Sequence, residues 1–208
     1  MSNMECVLDS RQYGPLCFAR RADAALPVKI AAAVGMAAAT GLLAQVSVLP
    51  SELLARVGIV LPFTPVPITG QVFSVLLAGA LLGRSFGALS MGMYVGLGVA
   101  GIPWLAGGVS GFPLASGGYL IGFIPAALFV GWISRFPAMR RYLPMVGAMT
   151  IAAGIIYLVG VAQLAAVMRI GPVRAIQLGA FPFVPGEIVK IVLAAGIATS
   201  AMRLGRQA

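Results

Sequence analysis

Long apolar runs, separated by short segments that hold most of the charges, dominate this sequence. Of its 208 residues, 60% are hydrophobic and 9% are charged, whereas a soluble domain carries about 25% charged residues. A membrane-spanning helix needs about 20 mostly apolar residues, and six runs reach or approach that length: Val28–Leu49, Ile68–Leu82, Ser85–Ile102, Gly118–Ser134, Leu143–Met168 and Val184–Met202. The sequence therefore predicts an all-α, polytopic membrane protein built as a six-transmembrane-helix bundle.

The predicted organisation is a single membrane domain with two polar ends. Residues 1–27 form a polar cytoplasmic tail, residues 28–202 form the six-helix domain, and residues 203–208 form a basic C-terminal tail. The first 26 residues hold acidic and basic side chains with no early apolar core, which argues against a cleaved signal peptide.

Positive charges flank the apolar runs unequally. If both termini are cytoplasmic, ten Lys and Arg side chains fall on that side, and only Arg56, Arg169 and Arg174 fall on the other. This distribution satisfies the positive-inside bias. We therefore predict a multi-pass protein of the bacterial plasma (inner) membrane with cytoplasmic termini.

Two irregular, uncharged or weakly charged segments, 50–67 and 103–117, then lie together on the outer side. Irregular backbone at membrane depth must be covered by protein or line a cavity. We expect these segments to cap or line a pocket that opens to the outside.

Glu187 and Lys190 are the most informative polar residues, because both lie early in the last apolar run. Residues three apart share a helix face, and each charge in hydrocarbon costs roughly 2.5–3.5 kcal/mol on insertion scales. Two interpretations stay open. The charges anchor a small polar ligand, or they form an ion pair that only neutralises itself at a shallow depth.

Several uncharged polar residues are predicted at a similar level. Each alone is more typical of a helix–helix hydrogen bond than of a ligand contact: Thr64, Thr69, Gln71, Ser74, Tyr94, Ser116, Tyr119 and Gln163. Gln71 and Tyr119 are the better ligand candidates, since they sit just inside helices that follow the outer segments. Phe63, Trp104 and Phe112 are candidates for stacking on a ligand, although Trp104 equally suits an interfacial anchor.

Small residues stripe the first apolar run. Ala31, Gly35 and Ala39 recur at four-residue spacing, and Ala33 and Ala37 form a second row with Gly41 beside them. Such faces allow close helix approach. The stripe is explained either by internal packing or by docking of a separate membrane partner.

Common catalytic arrangements are missing from the sequence. There is no histidine and no phosphate-binding Gly-Lys-Ser/Thr loop, so the chain itself is not expected to hydrolyse ATP. No nucleophile–base pair or metal-ligand cluster is found, and Cys6 and Cys17 have no companion ligands. We predict no enzyme activity, no cofactor, no metal site and no nucleic-acid partner.

The run Pro62-Phe63-Thr64-Pro65-Val66-Pro67-Ile68-Thr69-Gly70-Gln71, followed by Leu76-Leu77-Ala78-Gly79-Ala80-Leu81-Leu82-Gly83, resembles the signature of BioY proteins. These are the biotin-binding S components of energy-coupling factor (ECF) transporters. Further similarity lies in Gly101-Ile102-Pro103, in Gly117-Gly118-Tyr119-Leu120-Ile121-Gly122-Phe123 and in Pro185-Gly186-Glu187 with Lys190, and it extends from about residue 28 to residue 202.

The resemblance implies a six-helix fold that captures biotin from outside the cell. It also implies coupling to a transmembrane T subunit and two ATPase subunits, docked through the small residues of the first helix. Family members usually carry Asp where this chain has Glu187. The carboxylate is thus kept, but it reaches one methylene further.

Rival functions remain distinguishable by experiment. An S component for another vitamin would bind that vitamin in place of biotin. A membrane enzyme using Glu187 as an acid or base would turn over a substrate, and a channel or purely structural bundle would bind no solute tightly.

Overall fold

The computed structural model describes residues 25–48, 66–113 and 115–204. Over these residues the regular secondary structure is helical apart from one two-residue strand pair, and residues 100–116 are mostly turns and irregular backbone. The helices are α1 (Leu26–Gln45), α2 (Gln71–Val99), α3 (Gly117–Ile133), α4 (Tyr142–Met168), α5 (Pro172–Gly179) and α6 (Val184–Leu204), with single 3₁₀ turns at Pro137–Arg140 and Phe181–Phe183. Strand β1 (Ser47–Val48) pairs antiparallel with β2 (Ile68–Thr69).

Apolar length supports a multi-pass membrane protein. In the described parts of the chain, four helical stretches are long and apolar enough to cross a bilayer: Leu26–Gln45, Gln71–Val99, Tyr142–Met168 and Pro172–Leu204. Helix α3 is apolar but shorter, at 17 residues. The prediction of an all-helical membrane protein is thereby confirmed.

Helix α2 reverses direction at Gly83, where the backbone leaves helical geometry with φ 79° and ψ −179°. A positive φ of this kind suits glycine, which has no Cβ to clash. The Gln71 amide nitrogen lies 2.5 Å from the Tyr94 hydroxyl, whereas 23 residues of straight helix would separate them by about 35 Å. Residues 71–82 and 84–99 are therefore two antiparallel segments, as expected from the two separate apolar runs in the sequence.

Two of the boundaries and connections in the structure differ from those predicted from the sequence. The second helix is expected from Ile68 but begins at Gln71, because Ile68 and Thr69 pair with β1. Segment 169–182 is expected to be a connector, but it contains α5, which begins at Pro172. Eight residues are too few to span a bilayer. A search of the sequence for apolar runs of spanning length therefore does not detect this helix.

One end of the bundle, here called the upper end, carries the irregular segments. It is defined by the end of α1, both ends of α2, the starts of α3 and α6, and the end of α4. Two hydrogen bonds tie these parts together: Gly70 N–H donates to Leu43 O at 3.2 Å, and Gln45 Nε2 donates to Trp104 O at 3.1 Å.

Glycines allow the helices to approach closely along the bundle. A Cβ on Gly122 would lie 3.0 Å from Ile156 Cα, and a Cβ on Gly131 would collide with the backbone of Gly83 and Arg84 at the lower end. Helix α3 is therefore held between α2 and α4 by near-direct backbone contact.

Candidate ligand-binding site

A cavity lies inside the bundle near the upper end and encloses about 600 Å³ of space, open mouth included. Its walls are mostly apolar, with a few polar groups. The lining includes Thr69, Gln71, Leu105, Val109, Tyr119, Ile156, Tyr157, Phe183, Glu187 and Lys190.

Glu187 and Lys190 bring opposite charges to one wall of this cavity. Glu187 is in the first turn of α6, where the free backbone N–H groups favour an anion. The residue is 5% exposed, and its Oε1 accepts an ion-paired hydrogen bond from Lys190 Nζ. The predicted shared helix face is therefore present, and the pair is enclosed by protein at the cavity.

The second carboxylate oxygen, Glu187 Oε2, is buried and makes no hydrogen bond of normal geometry to a described residue, and the Tyr157 side chain lies close to this carboxylate. A buried acceptor left unpaired costs roughly 1–3 kcal/mol, and more when it is charged. An N–H donor on a ligand in this cavity would remove that cost. The arrangement therefore favours a ligand that carries polar N–H groups.

Gln71 is also on the cavity wall, but its side-chain amide is already engaged. Its Oε1 accepts from Thr69 Oγ1 at 2.7 Å, and its Nε2 donates to the Tyr94 hydroxyl at 2.5 Å. The Tyr94 hydroxyl also lies 3.3 Å from Trp104 O, to which it can donate. The amide orientation is thus fixed, and one Nε2 hydrogen stays available to a ligand.

Tyr119 contributes its ring more than its hydroxyl. The hydroxyl donates to Gly179 O at 2.7 Å, while the ring meets Tyr157 edge-on with centroids 6.0 Å apart. The Tyr157 ring centroid in turn lies 6.3 Å from that of Phe183. Three aromatic side chains from α3, α4 and the turn before α6 therefore form a continuous apolar wall beside the charged pair.

Two of the predicted aromatic candidates, Trp104 and Phe112, do not line this cavity. Trp104 donates from Nε1 to Tyr94 O at 3.0 Å, and its ring packs 5.5 Å from the Tyr94 ring. The Trp104 ring therefore packs against this chain's own side chains and does not line the cavity. Phe112 is exposed and covers Gly117, and Phe63 and Thr64 lie outside the described residues.

The two rows of small residues on α1 have different surroundings. Ala33 and Ala37 are buried, so they are covered by this chain's own helices. Ala31 and Gly35 are exposed, Ala39 is partly exposed, and a Cβ on Gly35 would meet nothing within 4 Å. Internal packing thus explains the second row, and the first row remains open to a partner.

Three residues of the cavity wall, Tyr157, Phe183 and Ile156, are not among those predicted from the sequence. Tyr157 has a usable signal, as a rare polar aromatic in the middle of an apolar run. Ile156 and Phe183 give no such signal, because apolar residues are equally common on lipid-facing and cavity-facing sides of a membrane helix. No group of three or more potential metal ligands occurs within the described residues.

An apolar helical bundle with a polar-anchored internal cavity defines a membrane protein that holds a small solute. Comparison with known proteins agrees with this class. The family model described as "BioY family" matches residues 22–207. The chain therefore belongs to the BioY family, and the resemblance found in the sequence is confirmed.

Individual relatives support the same assignment. The chain is 42% identical over 132 residues to the "Probable biotin transporter BioY" of Methanothermobacter thermautotrophicus, covering 58% of this chain and 84% of the relative. It is 36% identical over 148 residues to the "Biotin transporter BioY" of Thermotoga maritima, covering 69% and 85%. The fold matches a crystal structure of the S-component for biotin from an ECF-type ABC transporter, with a TM-score of 0.71, 24% identity and coverage of 83% and 89%.

Proposed function

We infer that this chain is the substrate-binding S component for biotin uptake and captures biotin in the cavity at the upper end. The observation that carries this inference is the unpaired, buried Glu187 Oε2 beside Lys190 in the cavity wall. The family consists of transporter components, which agrees with the prediction that the chain is not an enzyme.

The chemistry of biotin suits these residues. Its ureido group has two N–H donors and one carbonyl acceptor, its fused ring is apolar, and its chain ends in a carboxylate. Glu187 can accept from the ureido N–H groups, and Lys190 can donate to the ureido carbonyl or to the carboxylate. The apolar ring and chain then fit against the aromatic wall of Tyr119, Tyr157 and Phe183.

The proposed membrane arrangement has six crossings within residues 28–202 of the plasma (inner) membrane. The reversal at Gly83 supports it, because the antiparallel segments 71–82 and 84–99 of α2 then count as two of the six, with α1, α3, α4 and α6 as the others. An even number of crossings places both termini on the same side of the membrane, and the positive-inside bias makes that side the cytoplasm. The upper end and its cavity then face the outside, in agreement with the excess of basic residues at the lower end.

The exposed row Ala31, Gly35 and Ala39 is the proposed docking face for a transmembrane T subunit that couples the chain to two ATPase subunits. A helix surface of small residues allows a second helix to pack with its backbone close by. This chain supplies no ATP-binding loop of its own, so energy for transport comes from those partners.

Titration of the purified protein with biotin, and separately with thiamine and riboflavin, tests the proposed substrate. Biotin alone is expected to bind tightly. Glu187→Gln keeps the side-chain size and one acceptor oxygen but removes the charge, so we expect biotin affinity to fall about 10- to 150-fold, as for loss of a charged hydrogen bond of about 1.5–3 kcal/mol.

Matched variants separate the site from general charge effects. Lys190→Met should also weaken biotin binding, whereas Arg203→Gln, which removes an exposed cation at the other end of the same helix, should leave it unchanged. Unchanged biotin affinity in both Glu187→Gln and Lys190→Met would contradict the proposed site. Tighter binding of a different vitamin would contradict the proposed substrate.

A further inference from the structure

One turn in the segment between α2 and α3, residues 105–109, forms part of the cavity wall, and we call it the wall turn. Leu105, Ala106 and Val109 line the cavity, and Leu105 is buried. Two backbone hydrogen bonds close the turn, from Gly108 N–H to Leu105 O at 2.9 Å and from Leu105 N–H to Val109 O at 3.1 Å. Movement of the wall turn away from the bundle would therefore open the cavity on this side.

Gln45, the last residue of α1, lies against the wall turn. Its Nε2 is 3.1 Å from Trp104 O and 3.3 Å from Leu105 O, and it is also 3.1 Å from Gly41 O on α1 itself. A Cβ on Gly108 would be 3.5 Å from Gln45 Oε1. The two hydrogens of one side-chain amide therefore connect the end of α1 to the start of the wall turn.

The rest of the wall turn is held less firmly than the residue before it. The Trp104 ring packs on α1, where a Cβ on Gly41 would be 3.1 Å from the ring. Gly107 and Gly108, in contrast, have φ of 78° and 72°, and a Cβ on Gly107 would meet nothing within 4 Å. The turn is thus anchored beside its first residue and unpacked at its tip, so the contacts of Gln45 near its start govern its position.

Both carbonyl groups in the wall-turn region that Gln45 contacts have a second donor. The Tyr94 hydroxyl lies 3.3 Å from Trp104 O, and Gly108 N–H donates to Leu105 O. The bond from Gln45 to Trp104 O is also exposed to water. Removal of the Gln45 amide therefore leaves no buried carbonyl unpaired, and the change affects the position of the turn more than the stability of the fold.

We propose that Gln45 is a positioning residue that holds the wall turn against the cavity and so slows release of the bound solute. This proposal rests on the proposed function, because it concerns the exit of that solute. Gln45 does not itself line the cavity, so it acts through Leu105. The effect is expected in the dissociation rate, where most differences between variants of one binding site are found.

Release of radiolabelled biotin from the purified protein, chased with unlabelled biotin, tests the proposal. Gln45→Met keeps the approximate size of the side chain but removes the amide. We expect dissociation about 2- to 12-fold faster, the range for loss of one neutral hydrogen bond, with no decrease in the association rate or the unfolding temperature. Gln177→Met removes an exposed glutamine of α5 that does not line the cavity, and it should leave both rates unchanged.

A second variant and two contrary outcomes complete this test. Gln45→Glu keeps the length of the side chain but places a carboxylate against carbonyl oxygens, so its release should be faster than that of Gln45→Met. An unchanged dissociation rate in Gln45→Met would overturn the proposal. A lower unfolding temperature with a proportionate loss of association would also overturn it, because that pattern indicates a structural role alone.

Hydrogen exchange of the vacant protein tests the position of the wall turn without any ligand. The amides of Leu105 and Gly108 donate within the turn, and they should exchange faster in Gln45→Met than in the wild type, since local opening exposes them. Amides of α4 should be unaffected. Unchanged exchange in the wall turn would overturn the proposal. A wild-type protein that binds no biotin would contradict the proposed function instead, and the exchange result would stand apart from it.

Discussion

The buried and exposed faces of α1 allow a paired prediction. A leucine introduced on the buried face should lower stability, and a leucine introduced on the exposed face should not. Ala37 is 1% exposed and packs in the core, so Ala37→Leu forces a much larger side chain into a filled space. Overpacking of this kind costs about 1–3 kcal/mol. A Cβ added to Gly35 meets no other atom within 4 Å, and leucine is a better helix former than glycine by about 0.8 kcal/mol.

Four measurements on the two variants give the comparison: unfolding temperature, expression, biotin binding and biotin uptake. Ala37→Leu should lower the thermal unfolding temperature in detergent, with expression and biotin binding falling together. Gly35→Leu should unfold at or above the wild-type temperature and bind biotin normally, but cells that express the complete transporter should accumulate little labelled biotin, because the leucine blocks the T subunit.

Either of two results would refute this reasoning. Wild-type uptake by Gly35→Leu would mean that the exposed row does not contact a partner. A wild-type unfolding temperature for Ala37→Leu would mean that the second row has free space around it, contrary to its burial.

Two further predictions concern stability and the hydrogen-bond chain behind the cavity. Tyr94→Phe removes the hydroxyl that accepts from Gln71, so a buried amide donor is left unpaired. We expect the free energy of unfolding to fall by about 1–3 kcal/mol and biotin binding to weaken. An unchanged unfolding temperature would show that another group replaces the lost hydrogen bond. Gly131→Ala brings a methyl group against the backbone at the reversal of α2 and should lower the unfolding temperature by several degrees, whereas Gly147→Ala meets nothing within 4 Å and should not; equal effects would exclude backbone contact as the cause.

The membrane fold and the charged pair could be predicted from the sequence because both depend on local, strong signals. An apolar run of spanning length has few alternative structures, and the high cost of a charge in hydrocarbon draws attention to Glu187 and Lys190. The reversal at Gly83 is also visible, since Arg84 separates two apolar runs. These features need no knowledge of which helices are neighbours.

The remaining features depend on tertiary contacts and could not be derived in the same way. Tyr119 is a predicted ligand contact, but its hydroxyl donates to Gly179 O, and only the packing of α3 against α4 and α5 decides this. Likewise, the two rows of small residues on α1 are similar in composition. Ala33 is buried and Ala31 is exposed because of where α2 packs against α1. Hydropathy cannot separate them.

The charged pair has a consequence for the vacant protein. Because the carboxylate and the ammonium group are one turn apart on α6, each neutralises the other without help from a second helix, and neighbouring helices can move without parting them. The oxygen that remains unpaired can meet an incoming solute while this internal counter-ion stays in place. In the proposed uptake cycle, binding and release of the solute therefore never leave a lone ion in an apolar interior.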